Sequence, residues 1–432
     1  LKLDERAMQP SSRDQRLGQG LWQAPMQELP PCNFFPRQHY AVAPVSTGDA
    51  LLLLGGSNGH LHFNDIWGVK LIGQGADATW QWSEVSPHND GRRDLDGRLL
   101  LSKWPGRGRF ATCVASRPGV STAIYVTGGQ GAFCFEDFWA SEDGRQWYCM
   151  CQKVPWGGRL EPGLCVVPTK YEQLVVVGGI VPGIHLRVER DLWISKDAGS
   201  SWQQVATPDW EPRSCPLLFF MPPQHGRRLL VLGGARLAEA SAGDRAHAVG
   251  PRCLDDAWSV ELDFREGTAR WQELCTTSAP EGRASETGFD GNMASFDVSA
   301  LPKGDNPWQR PGAVVVLRAG HLYVSPPVAP HCWVQIHPVE ALPMSAQIYV
   351  ASGPRACCPR LFIFTSGGIF ASTVGELRAQ RRVLQRLARQ MERQWPRLPA
   401  VLWQTRIIPY LLPVGGRVVK PLPKSLLRRK KK

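Results

Sequence analysis

The 432-residue chain lacks several features that would place it in a class at once. No run approaches 18 consecutive apolar residues, so no transmembrane helix is expected. The 12 Cys include no C-x-x-C pair. Cys149 and Cys151 stand two apart and Cys357 and Cys358 are adjacent, neither of which is a structural zinc spacing. No Asn-x-Ser/Thr sequon occurs, which speaks against a secreted disulfide scaffold, so the thiols are expected to be reduced and mostly buried. There is no Gly-rich phosphate loop. The opening residues, LKLDERAMQP, contain no apolar h-region and give no readable targeting signal.

Acids are nearly missing from the last sixty residues. Thr373 to Lys432 holds 16 Lys or Arg against Glu376 and Glu392, a charge of +14. The remainder has 34 basic and 36 acidic residues, so the overall +12 divides into a body of −2 and a strongly basic tail.

What the body has in abundance is periodicity. Hydrophobic residues make up 43% of the chain and there are 17 Trp, which argues for a large folded core despite 43 Gly and 36 Pro. Four apolar runs end in a diglycine: Gly55 and Gly56, Gly128 and Gly129, Gly178 and Gly179, Gly233 and Gly234. Each is followed by Asp-x-Trp, at Asp65 and Trp67, Asp137 and Trp139, Asp191 and Trp193, Asp256 and Trp258. A further Trp closes each unit, at Trp80 or Trp82, Trp147, Trp202 and Trp271, and a basic residue opens it, at Arg37, Arg107 or Arg109, Arg159, Arg213 and Arg283. Short Val-, Leu- and aromatic-rich runs read as buried strands. The Gly pair supplies positive φ or close backbone approach where such a strand ends. The unit is therefore a four-stranded antiparallel sheet with Trp filling the space to its neighbour. The segment Ala235 to Leu254 is the longest connecting loop.

This pattern resembles the kelch repeat, which implies an all-β fold, a β-propeller of radially packed blades, over residues 20–372. Kelch units often carry a Tyr between the diglycine and the Trp, where this chain has Asp-x-Trp. Two segments resemble the Asp-box of sialidase-type propellers: SKDAGSSW, with Ser195, Asp197, Gly199 and Trp202, and SEDGRQW, with Ser141, Asp143, Gly144 and Trp147. That resemblance implies a hairpin staple whose Asp caps turn amides, with no catalytic role. Two degenerate units follow the fourth, the second ending near Ser372 and lacking an outer strand. LWQAPMQEL, with Trp22, supplies that strand from the other terminus and removes an exposed edge. Six blades are expected, with seven as the alternative.

Residues 1–19 form an N-terminal extension. Residues 373–396 read as a basic amphipathic helix: Thr373 and Glu376 have capping-box spacing, Leu377, Leu384, Leu387, Met391 and Trp395 share a face, and Pro396 ends the run. Residues 397–432 are a Pro-broken basic tail. Arg378, Arg381, Arg382, Arg386, Arg389, Arg393, Arg428, Arg429, Lys430, Lys431 and Lys432 are the candidate nucleic-acid contacts, because many cations with few acids neutralise phosphates and release counterions. A solvated charge run and a membrane-surface helix are the competing readings of this segment.

No catalytic, cofactor or metal site is expected. Galactose-oxidase-like enzymes share kelch blades but need Tyr and His copper ligands, and His60-x-His62 lies in a Gly/Asn-rich loop without supporting pattern. A sialidase needs an Arg cluster and an acid/Tyr pair, on which the Asp-box segments are silent. The expected function is non-catalytic: a kelch-like propeller scaffold and protein-interaction subunit, anchored through RNA or another polyanion on its basic tail to a ribonucleoprotein assembly. The specific expectation is a mitochondrial ribosome, hence a mitochondrial or other organellar matrix location, otherwise cytoplasmic. The alternative is a substrate adaptor of the kind kelch proteins provide to ubiquitin ligases or the cytoskeleton. About twenty residues precede the repeat, with no BTB- or F-box-like helical module among them.

Overall fold

The computed structural model describes residues 26–274, except 31, 33, 35–36, 46–49, 73–78, 89–102, 116–122, 168–172, 221–227, 238–250 and 255, together with residues 293–295, 314–318, 321–325, 334–336, 347–351, 360–365 and 368–372. Every element among them is a strand, and no helix is long and apolar enough to cross a membrane. The expected extension 1–19, the strand residue Trp22, Arg283, the helix 373–396 and the tail 397–432, with all the candidate nucleic-acid contacts, lie outside the described residues.

β1 (Met26–Glu28) is placed last, because it pairs with the end of the chain's strand series. The first sheet is β2 (Ala41–Val45), β3 (Ala50–Ser57), β4 (His62–Ile72) and β5 (Thr79–Ser86), in that spatial order. The second is β6 (Ala111–Ala115), β7 (Ala123–Thr127), β8 (Phe138–Ser141) and β9 (Tyr148–Cys151). The third is β10 (Gly163–Val167), β11 (Gln173–Val181), β12 (Arg187–Ser195) and β13 (Gln203–Val205). The fourth is β14 (Leu217–Phe220), β15 (Arg228–Leu232), β18 (Ala257–Asp263) and β19 (Thr268–Leu274). Between β15 and β18 the expected long loop begins and ends as a two-stranded ladder, β16 (Ala235–Leu237) with β17 (Pro251–Cys253), so backbone pairing extends the hairpin beyond the sheet.

The fifth sheet is β20 (Met293–Ser295), β21 (Val314–Arg318), β22 (His321–Ser325) and β23 (Val334–Ile336). The sixth is β24 (Gln347–Ala351), β25 (Arg360–Thr365), β26 (Gly368–Ser372) and β1, with Met26 opposite Ser372. All pairings are antiparallel, as expected of strands joined by short hairpins. The first strands abut from sheet to sheet: β2 against β6, β6 against β10, β10 against β14, β20 against β24, and β24 against β2. Multiple four-stranded antiparallel sheets packed side by side form a β-propeller-like architecture.

Period-two side-chain alternation explains why the second strands are continuously apolar. Leu52 and Leu54 of β3 join Ile124 and Val126 of β7 in one core, while Leu51 and Leu53 face the opposite way, towards Leu29 and Ile369. In the third sheet Leu174 and Val176 pack with Tyr125 and Phe138, and Val175 and Val177 pack with Leu229 and Val231. Each inner strand is thus buried on both faces, which demands an uninterrupted hydrophobic run.

Candidate functional site

The two ends of each sheet differ in chemistry. One end carries the β3–β4-type loop with its diglycine, together with the segment that leads into the first strand. The other carries the hairpin between the third and fourth strands.

At the diglycine end a buried ion pair recurs four times. Arg107 donates from Nη1 to Asp137 Oδ1 at 2.6 Å and from Nη2 to Oδ2 at 2.7 Å. Its Nη1 also donates to the carbonyl of Gly128 at 3.0 Å. Trp139 Nε1 donates to Asp137 Oδ2 at 2.8 Å. The same set forms from Arg37, Gly55, Asp65 and Trp67, from Arg159, Gly178, Asp191 and Trp193, and from Arg213, Gly233, Asp256 and Trp258. The four guanidinium side chains are at most 4% exposed. A buried charge is costly unless paired and hydrogen-bonded, and bidentate Arg–carboxylate geometry with a third acceptor and an indole donor supplies most of what is needed, leaving Nε of Arg159 without a partner. Burial pushes the Asp65 carboxyl up, but Arg37 and Trp67 outweigh it and hold it below the usual carboxylate range.

The diglycines link the sheets. The amides of Gly56, Gly129 and Gly179 donate to the carbonyls of Arg107, Arg159 and Arg213, each belonging to the next sheet, at 2.9, 2.7 and 2.9 Å. Each of these arginines therefore ties the previous sheet by its backbone and its own sheet by its side chain. Both glycines of a pair have positive φ, 58° and 106° at Gly178 and Gly179. A Cβ on Gly178 would lie 2.2 Å from the carbonyl oxygen of Arg213. No other residue fits that approach.

The structure settles alternatives left open by the spacing. Arg107 forms the clamp, whereas Arg109 pairs with Glu161, Nε to Oε1 at 2.7 Å. Trp82 stacks edge-on to Phe34 at 6.0 Å, as Trp202 does to Trp156 and Trp271 to Trp210, so Trp82 is the repeat residue and Trp80 is extra core. Those contacts expose a position that the repeat reading missed. An aromatic stands three residues before each clamp arginine, at Phe34, Trp104, Trp156 and Trp210. Trp104 is fully buried and Trp210 is 2% exposed, while Trp67, Trp193 and Trp258 are only half-buried.

A second missed feature lies two residues after each clamp arginine. His39, Arg109, Glu161 and Cys215 have φ of 56°, 57°, 52° and 48°, a region that non-Gly residues rarely occupy. Their backbones run in series: Arg109 N–H donates to the His39 carbonyl at 3.2 Å, Glu161 to Arg109 at 2.8 Å, and Cys215 to Glu161 at 2.8 Å. The hydrogen bonds step from sheet to sheet around the ends of the abutting first strands.

The hairpin end carries carboxylate-capped turns, with Ile72 and Tyr148 49% and 58% exposed beside them. Asp143 Oδ1 accepts from the amides of Arg145 and Gln146 at 2.7 and 2.9 Å, and Asp197 Oδ1 accepts from Ser201 N–H at 2.8 Å. Trp147 and Trp202 donate Nε1 to the Gly144 and Gly199 carbonyls. Gly144 packs on Leu52 and Gly199 on Phe138, so each turn rests on the preceding sheet. Asp263 caps the amides of Arg265 and Glu266 in the same manner in the fourth sheet, where no Ser marked the turn.

Catalytic motifs find no geometry. Gly55-Gly56-Ser57-Asn58-Gly59 has the letters of a nucleophile elbow, but it runs from β3 into β4 rather than into a helix, and Ser57 Oγ accepts the Gly59 amide. His60 is exposed and His62 half-buried on an Asn58-capped turn. Among the described residues no group of three or more His, Cys, Asp or Glu could hold a metal ion. The Cys149–Cys151 pair straddles a bulge, opposite Trp139 and Phe138 respectively. Burial pushes the thiols of Cys134 and Cys165 up to about 11 and about 12, away from reactivity.

No family model matches the chain. Among solved structures it is similar to one described as "Structure of YjhT", at 13% identity and a TM-score of 0.44, over 80% of this chain and 94% of that one. The fold assignment rests on the strand pairing.

Proposed function

We propose that this chain is a six-bladed kelch-like propeller acting as a non-catalytic interaction platform, anchored through its basic C-terminal segment to a ribonucleoprotein assembly such as a mitochondrial ribosome in the organelle matrix. The six four-stranded sheets and the abutment of first strands at five of the six junctions support a ring of six. The observation that carries the anchoring is the charge boundary. The last strand, β26, ends at Ser372, and the +14 segment begins at Thr373. A platform whose own charge is −2 has no general affinity for phosphate, so polyanion binding falls to the sixty residues beyond it.

The test is a salt series of RNA affinity for the full chain and for a full-length variant with the tail's Arg and Lys replaced by Gln. The full chain loses affinity steeply, with a logarithmic slope of about −0.7 per phosphate neutralised on single strands. The variant binds weakly with a shallow slope. Equal affinity and slope in both proteins would refute the anchoring. The adaptor for a ubiquitin ligase or cytoskeletal complex is the second reading, favoured by Leu61, Phe133, Ile184 and Leu186, which are exposed between the second and third strands of the first three sheets, and copurifying ligase subunits in place of ribosomal RNA would establish it.

A further inference from the structure

We infer that the hairpin end of the core between the third and fourth sheets binds a small organic monocarboxylate, its apolar body against the core and its carboxylate on Arg265 and Arg270. The inference goes beyond the platform reading and does not depend on it.

The site exists where one turn is short. The turns between the third and fourth strands of the second and third sheets span 142–147 and 196–202. Each packs on the sheet before it: a Cβ on Gly144 would meet Leu52, and one on Gly199 would meet Phe138. The corresponding turn of the fourth sheet spans only 264–267. Its glycine, Gly267, meets the polar side chain of Gln203 on the outer strand β13 in place of an apolar core residue. Lys196 Nζ donates to the Arg265 carbonyl at 3.0 Å and ties this turn to that of the third sheet. Beside the turn, with walls from both sheets, lies a cavity of about 510 Å³. That volume is within the range of small-molecule sites.

The walls are of two kinds. Val167 and Phe220, which end β10 and β14, are buried, and Leu262 and Phe264 pack half-buried against the same core. An apolar body placed against these four side chains leaves water, which favours binding. The other wall carries Glu261, Asp263, Arg265 and Arg270. Asp263 already accepts the amides of Arg265 and Glu266. Glu261 stands opposite Arg270 in the strand register, yet among the described residues neither Arg265 nor Arg270 forms an ion pair. Two guanidiniums without a carboxylate partner present the planar donor forks that match a carboxylate. Two carboxylates share the wall with them, so a second negative charge on the ligand would meet repulsion. An apolar monoanion satisfies both walls, and a phosphate dianion satisfies neither the apolar side nor the charge balance.

The test is calorimetric titration of the full chain with 4-phenylbutyrate, with its neutral analogue 4-phenylbutyramide, and with 4-phenylbutyrate in the presence of inorganic phosphate. 4-Phenylbutyrate is expected to bind saturably at one site. Arg265→Gln and Arg270→Gln are each expected to weaken it about tenfold, as is replacing the acid by the amide. Phosphate is expected not to compete. Thr268→Trp, which fills the cavity and leaves both guanidiniums in place, is expected to abolish binding. Arg265, Thr268 and Arg270 are exposed, so all three variants are expected to melt as the parent does. Replacing the tail cations by Gln is expected to leave this binding unchanged, whether or not the tail anchors RNA. No saturable binding, an amide that binds as tightly as the acid, Gln variants that bind as the parent does, displacement by phosphate, or loss of binding with the tail cations would each overturn the inference.

Discussion

The first four sheets and the last two have the same strand pairing, but only the first four carry Asp-x-Trp in their sequence. In the first four, an arginine, an aspartate and a tryptophan lock each diglycine, and the backbones of Arg107, Arg159 and Arg213 carry the lock on to the neighbouring sheet. The fifth and sixth sheets contain no Asp-x-Trp, and the strands of the fifth are 3 to 5 residues long, against up to 11 in the first. Four-stranded pairing therefore does not require Asp-x-Trp. What the clamp adds is a fixed geometry at the diglycine end, where the apolar loops and the left-handed residues stand.

The largest test of that difference removes a guanidinium. Arg213→Ala leaves the half-buried Asp256 without its cation, and should lower unfolding free energy by up to about 3–5 kcal/mol in denaturant titration. A loss below about 1 kcal/mol would erase the distinction between clamped and unclamped sheets. Next comes Trp210→Ala, which vacates a site 2% exposed and should also cost about 3–5 kcal/mol. Trp258→Ala, at a half-buried position, should cost measurably less; the reverse order would move the centre of each wedge back to the Asp-x-Trp residue.

Glycine substitutions divide the effect more finely. Gly178→Ala forces a Cβ to 2.2 Å from the Arg213 carbonyl and should destabilise more than Gly157→Ala, where φ is 77° but nothing lies within 4 Å. The latter should cost about 1–2 kcal/mol from the left-handed backbone alone. The smallest effect is with pH. Asp65 is held low by Arg37, so its contribution is present above the ordinary carboxylate value of about 4 and is lost as pH falls through its lower folded value. Denaturation midpoints should drop on acidification below about pH 4, and Asp65→Asn should flatten that drop at the expense of stability near neutral pH.

The members of the clamp were legible because diglycine, Asp-x-Trp and a preceding Arg recur as residue types, but their pairing was not. Phe34, Trp104, Trp156 and Trp210 were equally regular in spacing, but a Phe stands in the first unit and the repeat was framed from the arginine onward. The left-handed positions were illegible: His, Arg, Glu and Cys share no chemistry, and only the backbone shows what they have in common. Asp263 was missed because its turn lacks the Ser that marks the other two. The segment Ala235 to Leu254 reads in the sequence only as the longest connecting loop, yet its ends pair, since backbone hydrogen bonds do not depend on side-chain pattern.

The central claim, that Arg107, Arg159 and Arg213 each fasten two sheets at once, is tested most directly by amide hydrogen exchange at Gly56, Gly129 and Gly179 in the full chain. If their amides are held by Arg107, Arg159 and Arg213, they exchange as slowly as the amides of β3, β7 and β11, and Arg107→Ala accelerates Gly56, in the neighbouring sheet, as well as its own. Exchange at the three glycines as fast as at the open Gly59 turn would contradict it.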